Sequence, residues 1–489
     1  MAQKTMIDWM KQALESPKST LLTLPQLISE AIMLFEKSPA YARMKEAETY
    51  YRNRSDVQTK TNEVARRTNT KIEHPILKKL VDQKANYLLS KQWTVTTDSE
   101  AYGKALNDLF NHSFRRKIKA HGRDTVKYGV TYLQPYFGAD GKFHIMQLNP
   151  LQTIPLWEDA EKEILFAFIR FYEKDVYTGL TKKKIRCVEF WWSGGVRYYY
   201  TDEFGSVDGS VLTVDKDHGD ESNDYTEPHF YVGKEAYNWE RPPLFWTRYN
   251  DEELPLCYYV KDLIDDINWQ TSVTSDVLRD VAKFVYVLKN YGGADLNEFI
   301  KDLKERLAIK VTDNGGVDKL EPELNIDAVM QFLDKQRKDL YDFANAVDTK
   351  DADLGNASGV AINFRYMDLD ADCVALGAEL QDTFLQMKPF LDCALQLASK
   401  GTFTEQDFSI VFNMDLPVNE TDIINNAKNS KGLISDKTIK ENHPWVDDVE
   451  EEERRMEEEA KKKMEEFGEG MFSDAFQAHG DGVAHGDEE

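Results

Sequence analysis

From Leu256 onward, apolar residues recur every three or four positions: Tyr259, Val260, Leu263, Ile264 and Ile267, then Val273, Val277, Leu278 and Val281. That spacing keeps them on one face of a 3.6-residue turn and predicts a long amphipathic helix. Asp251, Glu252 and Glu253 lie just ahead, where negative charge favours a helix start. A second helical pattern begins at Asn325, with Ile326, Val329, Met330, Leu333, Leu340, Phe343 and Val347 on one side. A third runs to about Lys400 through Leu380, Phe384, Met387, Leu391, Leu395 and Ala398, and Pro389 is expected to interrupt and kink it. The second and third patterns are joined by Asp348–Gly359, a polar stretch in which Gly355 and Gly359 supply backbone freedom.

The first third reads as helices followed by strands. Helical spacing covers residues 25–36 and 40–52, the latter ended by Arg52-Asn53-Arg54-Ser55. His74–Lys91 puts Ile76, Leu80, Lys84 and Leu88 on one face behind Pro75, and Arg115–Lys127 is another helix. Alternation then takes over: Tyr132, Gln134 and Tyr136, a turn at Ala139–Lys142, and Phe143, Ile145 and Gln147 predict a hairpin. Ile164–Tyr172, Ile185–Trp192 and Val196–Thr201 add strands, Asp202–Thr226 reads as an exposed loop, and Arg241–Phe245 is expected to end the strand region.

Between the first two long helices, 284–325 reads as a small mixed insert. Its expected parts are a strand at Phe284–Leu288, a Gly292-Gly293 turn, a helix at Leu296–Leu307, a strand at Ala308–Thr312 and a Gly315-Gly316 turn. Phe403–Met414 alternates as a short strand, and a helical hairpin begins near Glu420 with its turn at Lys431-Gly432. Asp447–Glu459, acidic and followed by Lys461-Lys462-Lys463, fits an exposed helix; beyond Phe467 the composition reads as disorder.

Composition narrows the function. The chain has 489 residues and a net charge of −25, the wrong sign for a protein that grips nucleic acid by neutralising phosphates. Cys187, Cys257, Cys373 and Cys393 form no CxxC pair and read as reduced thiols. Asp8 and Lys11 interrupt any secretory signal, and apolar runs such as Ile164–Ile169 are too short to span a bilayer.

Catalytic motifs do not emerge. Gly138–Lys142 lacks the spacing of a phosphate-binding loop and sits on a predicted hairpin. Gly355–Gly359 carries its Ser one place late for a nucleophile elbow. The histidines show no ligand spacing, His479 and His485 in the tail included, and no cofactor is expected. Asp265-Asp266 and Asp370/Asp372 are pairs of the kind that arise by chance among 86 acids. The Trp191, Trp192, Tyr198, Tyr199 and Tyr200 cluster fits a two-sided packed sheet. The alternative is a monomeric carbohydrate- or ligand-binding protein whose aromatic faces stack on a ligand.

Several phrases, in order, resemble the portal proteins of tailed bacteriophages, in the family typical of siphophages of Gram-positive hosts. They are Tyr50-Tyr51-Arg52, Lys127–Tyr132, Asp262–Asp266, Thr274–Asp276, Val285–Leu288 and Ala357–Ile362. The resemblance implies an α+β portal fold: an elongated multi-domain subunit with wing, stem, clip and crown, assembling into a ring around a central channel. It divides the chain into a wing at 1–250, stem helices at 251–282 and 326–348 flanking a clip at 283–325, and a tunnel loop at 349–358. A long kinked helix with further wing follows at 359–415, then a crown at 416–465 and a disordered acidic tail at 466–489.

By the same resemblance, Thr349, Lys350, Asp351, Asp353, Asn356 and Ser358 face DNA, while Tyr291, Asn297, Lys301, Lys304 and Lys310 in the clip meet partners. The implied protein is no enzyme. It forms a ring of about twelve copies at one capsid vertex, assembled in the host bacterial cytoplasm and carried in the virion. Its implied partners are the terminase large subunit, a head-completion or adaptor protein, the major capsid and scaffolding proteins, and the double-stranded DNA passing through; no membrane is involved. The acidic balance agrees, because duplex DNA carries one charge per roughly 1.7 Å and an acidic wall repels it.

Overall fold

The structure, a computed structural model, describes residues 4–16, 22–61, 68–138, 140–201, 212–281, 285–289, 297, 316–320, 325–350, 359–414, 424, 427–441, 443, 445–446, 449 and 451–462. The chain divides into two compact units, Met1–Asp348 with Met367–Met414, and Thr349–Tyr366 with Asp415–Glu489.

Helices α1 (Met6–Glu15), α2 (Leu24–Glu36) and α3 (Pro39–Tyr51) start at Thr5, Thr23 and Ser38, hydroxyl residues suited to the unpaired N–H groups of a first turn. The end of α3 lies at the expected turn: Asn53 adopts φ 59° and the Arg54 N–H reaches back to Thr49 O at 3.0 Å. Next come α4 (Ile76–Leu89), β1 (Thr94–Thr96), α5 (Glu100–Leu109) and α6 (His112–Tyr128). Helix α6 closes on Gly129 at φ 88°, where a Cβ would lie 2.2 Å from the carbonyl oxygen of Glu253. Only glycine fits this helix-to-strand junction.

Beyond it, β2 (Val130–Phe137) and β3 (Phe143–Leu148) form the expected hairpin, Phe137 opposite Phe143. Strands β4 (Thr153–Trp157), β5 (Leu165–Thr178), β6 (Thr181–Trp192), β7 (Gly195–Thr201) and β8 (Thr213–Val214) pair antiparallel in that order as a 5-stranded sheet. Strand β8 lies inside the stretch read as a loop, of which 202–211 falls outside the described residues. After the hairpin β9 (Phe230–Val232) and β10 (Glu235–Tyr237), β11 (Phe245–Arg248) pairs with β2. The strand region therefore does not end at Phe245. Met10, Leu27, Ile28 and Ile32 of α1 and α2 pack on Ile154, Ile169, Phe171, Val188 and Phe190 of the larger sheet. Met44 of α3 joins Tyr132, Leu148, Phe168 and Leu244 in a second core.

Helix α7 (Leu256–Val281) is the first long amphipathic helix. Asp251–Glu253 do not enter its first turn; Glu253 adopts φ 56° and pairs with Lys162 at 2.6 Å and Arg248 at 3.6 Å. In the insert, β12 (Val285–Lys289) pairs antiparallel with β13 (Gly316–Leu320), Val285 opposite Leu320. Gly316, expected in a turn, opens a strand, while the expected elements at 296–307 and 308–312 lie outside the described residues except Asn297.

Helix α8 (Ile326–Phe343) is capped by Asn325, and α9 (Gly359–Leu397) runs through Pro389 as one element, so the proline does not interrupt it. Its 39 residues span about 58 Å. Strand β14 (Ser409–Val411) returns to pair with β1. In the second unit, α10 (Asp436–Glu441) follows a turn at Gly432 (φ 90°), and the acidic segment is helical and mostly exposed over 451–462. Arg454 and Arg455 both pair there with Glu451.

Candidate functional site

The site expected to act is the connection between α8 and α9, and its near end is built from three helices. Helix α8 ends with Asn345 in the left-handed region (φ 47°), the Ala346 N–H bonding Tyr341 O at 2.9 Å and the Asn345 N–H bonding Asp342 O at 3.1 Å. This paired arrangement satisfies the last carbonyls of the helix and turns the chain sharply.

Residues 345–348 are held from α4 and α8. The Gln83 side chain donates Nε2 to Val347 O (2.8 Å) and accepts the Val347 N–H on Oε1 (3.2 Å). Both backbone groups of Val347 are thus met as a neighbouring β-strand would meet them. Lys84, fully buried, donates Nζ to Asn345 O (2.9 Å) and to Asp372 Oδ2 of α9 (2.7 Å); the Tyr249 hydroxyl donates to the same carboxylate at 3.0 Å. Arg337 grips Asp348 with two hydrogen bonds, Nε to Oδ2 at 2.5 Å and Nη2 to Oδ1 at 2.8 Å. Those bonds raise its already high pKa. Lys79 adds a bond to the Tyr341 hydroxyl (2.7 Å) and lies 3.8 Å from Asp348.

Of the residues expected to face DNA, Thr349 and Lys350 are exposed in a turn directly after this anchored root. Asp351, Asp353, Asn356 and Ser358 lie outside the described residues. In the insert, Asn297 is helical and exposed, whereas Tyr291, Lys301, Lys304 and Lys310 lie outside the described residues. Sequence reading missed Lys79, Gln83 and Arg337. A polar residue on a helix looks the same whether it faces water or a neighbouring backbone, and only the i,i+4 placement of Lys79 and Gln83 hints at a shared target.

The acidic pairs prove to be struts. Asp265 accepts the Tyr50 hydroxyl on both oxygens at 2.7 Å and Lys261 at 2.9 Å, joining α7 to α3. Its neighbour Asp266 accepts Gln336 of α8 instead. Asp370 takes the Tyr87 hydroxyl at 2.8 Å.

The aromatic cluster is consumed in packing. Trp191 lies parallel to Phe168 at 5.9 Å and to His229 at 5.7 Å, and Tyr199 is buried. Among the described residues, no helix is long and apolar enough to cross a membrane.

Along the long helices, apolar side chains remain uncovered. On α8, Ile326 and Met330 are 46% and 52% exposed although the sequence pattern assigns them to its apolar face. On α9, Met367, Val374 and Leu385, spaced by 7 and 11 residues and hence on one face, are about half exposed.

A family model described as "Phage portal protein, SPP1 Gp6-like" matches residues 36–466. A relative named portal protein from Bacillus phage SPP1 is 28% identical over 391 residues, covering 79% of this chain and 75% of that one. Another of the same name, from Clostridium phage phiCD119, is 25% identical over 429 residues, covering 83% and 90%.

Proposed function

Because the chain belongs to the SPP1 Gp6-like family of phage portal proteins, we propose that it forms a ring at one vertex of a tailed-phage capsid and conducts double-stranded DNA during packaging and ejection. The observation that carries this reading is the family match, which runs from the end of α2 past the acidic helix. Proteins of this family are structural components of the virion, not enzymes.

In this reading about twelve subunits close a heterologous interface into a ring. Helices α7 and α8 form the stem, 283–325 the clip, and 1–250 with 359–415 the wing, while 416–465 is the crown. The loop 349–358 faces the channel with Thr349, Lys350, Asp351, Asp353, Asn356 and Ser358. The clip, with Tyr291, Asn297, Lys301, Lys304 and Lys310, docks the terminase large subunit and afterwards a head-completion protein. Capsid and scaffolding proteins meet the subunit as it assembles in the host cytoplasm.

Two observations support it. The uncovered apolar faces of α8 and α9 need a partner, and a second copy supplies one. The net charge of −25 suits a conduit that lets DNA slide without binding it. Light scattering after size-exclusion chromatography, followed by electron microscopy, tests the ring. Closed rings are expected, and a stable monomer under every salt condition defeats the reading.

A further inference from the structure

We propose that α4 is the positioning element for the channel loop, acting through a clamp of Lys79, Gln83 and Lys84 on residues 345–348. The inference rests on the reading of 349–358 as the DNA-facing loop, and it assigns a role to residues that hold the chain just ahead of that loop.

The geometry argues for a clamp rather than incidental packing. Four consecutive residues are held by polar contacts, and each contact uses a different chemistry. Asn345 is held through its carbonyl by Lys84, Val347 through both backbone groups by Gln83, and Asp348 through its carboxylate by Arg337, with Lys79 alongside. Ala346 is fixed by the helix-closing bond to Tyr341. Bonds to backbone groups fix the path of the chain whatever the side chains do, so the direction in which the chain leaves Asp348 is set by α4 and α8 together.

Lys84 also ties the root to the neighbouring long helix. Its one ammonium bonds Asn345 O and Asp372 of α9, and it is fully buried. A buried ammonium is costly unless it keeps its partners, so α4, the end of α8 and α9 hold a single arrangement. A shift of α4 along its axis therefore moves the start of the loop, whereas a shift of the loop beyond Thr349 leaves the clamp intact.

The test uses assembled full-length rings carrying Gln83→Ala, which removes both bonds to Val347 and leaves Lys84 in place. Amide hydrogen exchange of residues 345–348 is expected to accelerate about tenfold, with 326–340 unchanged. The Gln83→Glu variant, which keeps the acceptor for the Val347 N–H, should fall between. DNA packaged in vitro should drop severalfold in Gln83→Ala, and Gln83→Ala should cause no further drop in rings that already lack residues 350–356. Unchanged exchange overturns the clamp, and an equal packaging loss in both backgrounds overturns its action through the loop. If the deletion alone leaves packaging intact, the DNA-facing reading fails, and the exchange result by itself decides whether α4 holds the root.

Discussion

Asp276, near the end of α7, accepts the backbone N–H of Thr70 on Oδ1 at 2.7 Å and the ammonium of Lys60 on Oδ2 at 2.5 Å. It is the last rung of a ladder. Ser272 Oγ accepts the Ile72 N–H at 2.9 Å, and Asn268 Oδ1 accepts the His74 N–H at 3.1 Å. Two residues of extended chain advance about 6.6 Å and four residues of helix about 6 Å, so every second N–H of 70–74 meets every fourth side chain of α7. The buried face of α7 thereby changes from apolar at Val260, Ile264 and Ile267 to polar at Asn268, Ser272 and Asp276.

The rungs differ in strength. Asp276→Ala leaves the Lys60 ammonium, itself almost wholly buried, without its carboxylate, and should destabilise the subunit by about 3 kcal/mol or more. Ser272→Ala removes a neutral acceptor and should cost about 1 kcal/mol. Denaturant unfolding of both variants checks the order. Burial pushes the Asp276 carboxyl up, but the bonds from Lys60 and Thr70 outweigh it and hold its pKa low. Its contribution is therefore present above the ordinary aspartate pKa and lost as pH falls through the lower, folded value.

A second pH dependence comes from His121, buried beside Thr247 with Nε2 2.7 Å from the hydroxyl and its pKa pushed down to about 3 by burial. The unfolded chain takes up a proton near pH 6.5 and the native state does not. Stability is thus full above that value and declines as pH falls toward 3, by about 1.4 kcal/mol per unit. Between pH 7 and pH 5 the loss from this group is about 2 kcal/mol. His121→Gln should remove that part of the loss, read as the difference between unfolding curves at the two pH values.

What the sequence made legible follows from the range of the interactions involved. Helices α2, α3, α4, α6, α7 and α8 announce themselves because apolar periodicity is local, and the β2–β3 hairpin because its turn is. Strand β11 was missed because Pro242-Pro243 masks four residues whose partner, β2, lies far upstream. Gly316 read as a turn and β13 went unseen, because the partner of β12 is chosen by pairing, not by local alternation. Asp251–Glu253 looked like a helix start, but Pro255 sets the boundary and Glu253 turns back to Lys162 and Arg248. The family's phrases were readable. The clamp and the ladder were not, because polar side chains that bond a distant backbone leave no apolar pattern; Asn268, Ser272 and Asp276 at steps of four were the one available signal.

The loop itself should be separable from assembly. Deleting Lys350–Asn356 removes residues beyond the root fixed at Asn345–Asp348, so rings should still form while DNA packaging falls. Electron microscopy and a nuclease-protection assay read the two outcomes, and failure of the ring to form refutes the assignment of this segment as a channel loop.

Charged substitutions on the uncovered helix faces should do the reverse. Met330 on α8 and Val374 on α9 are 52% and 51% exposed, so Met330→Glu or Val374→Glu leaves the subunit's own core intact and should shift its stability by no more than about 0.5 kcal/mol. In a ring each side chain would be enclosed by the neighbouring copy, and a buried unpaired carboxylate there is costly enough to block closure. The expected result is a folded monomer with a near-parental melting transition and no ring by light scattering. Rings that persist in both variants place the contact between copies on other faces. A variant that loses its melting transition shows instead that the side chain supports the subunit's own fold.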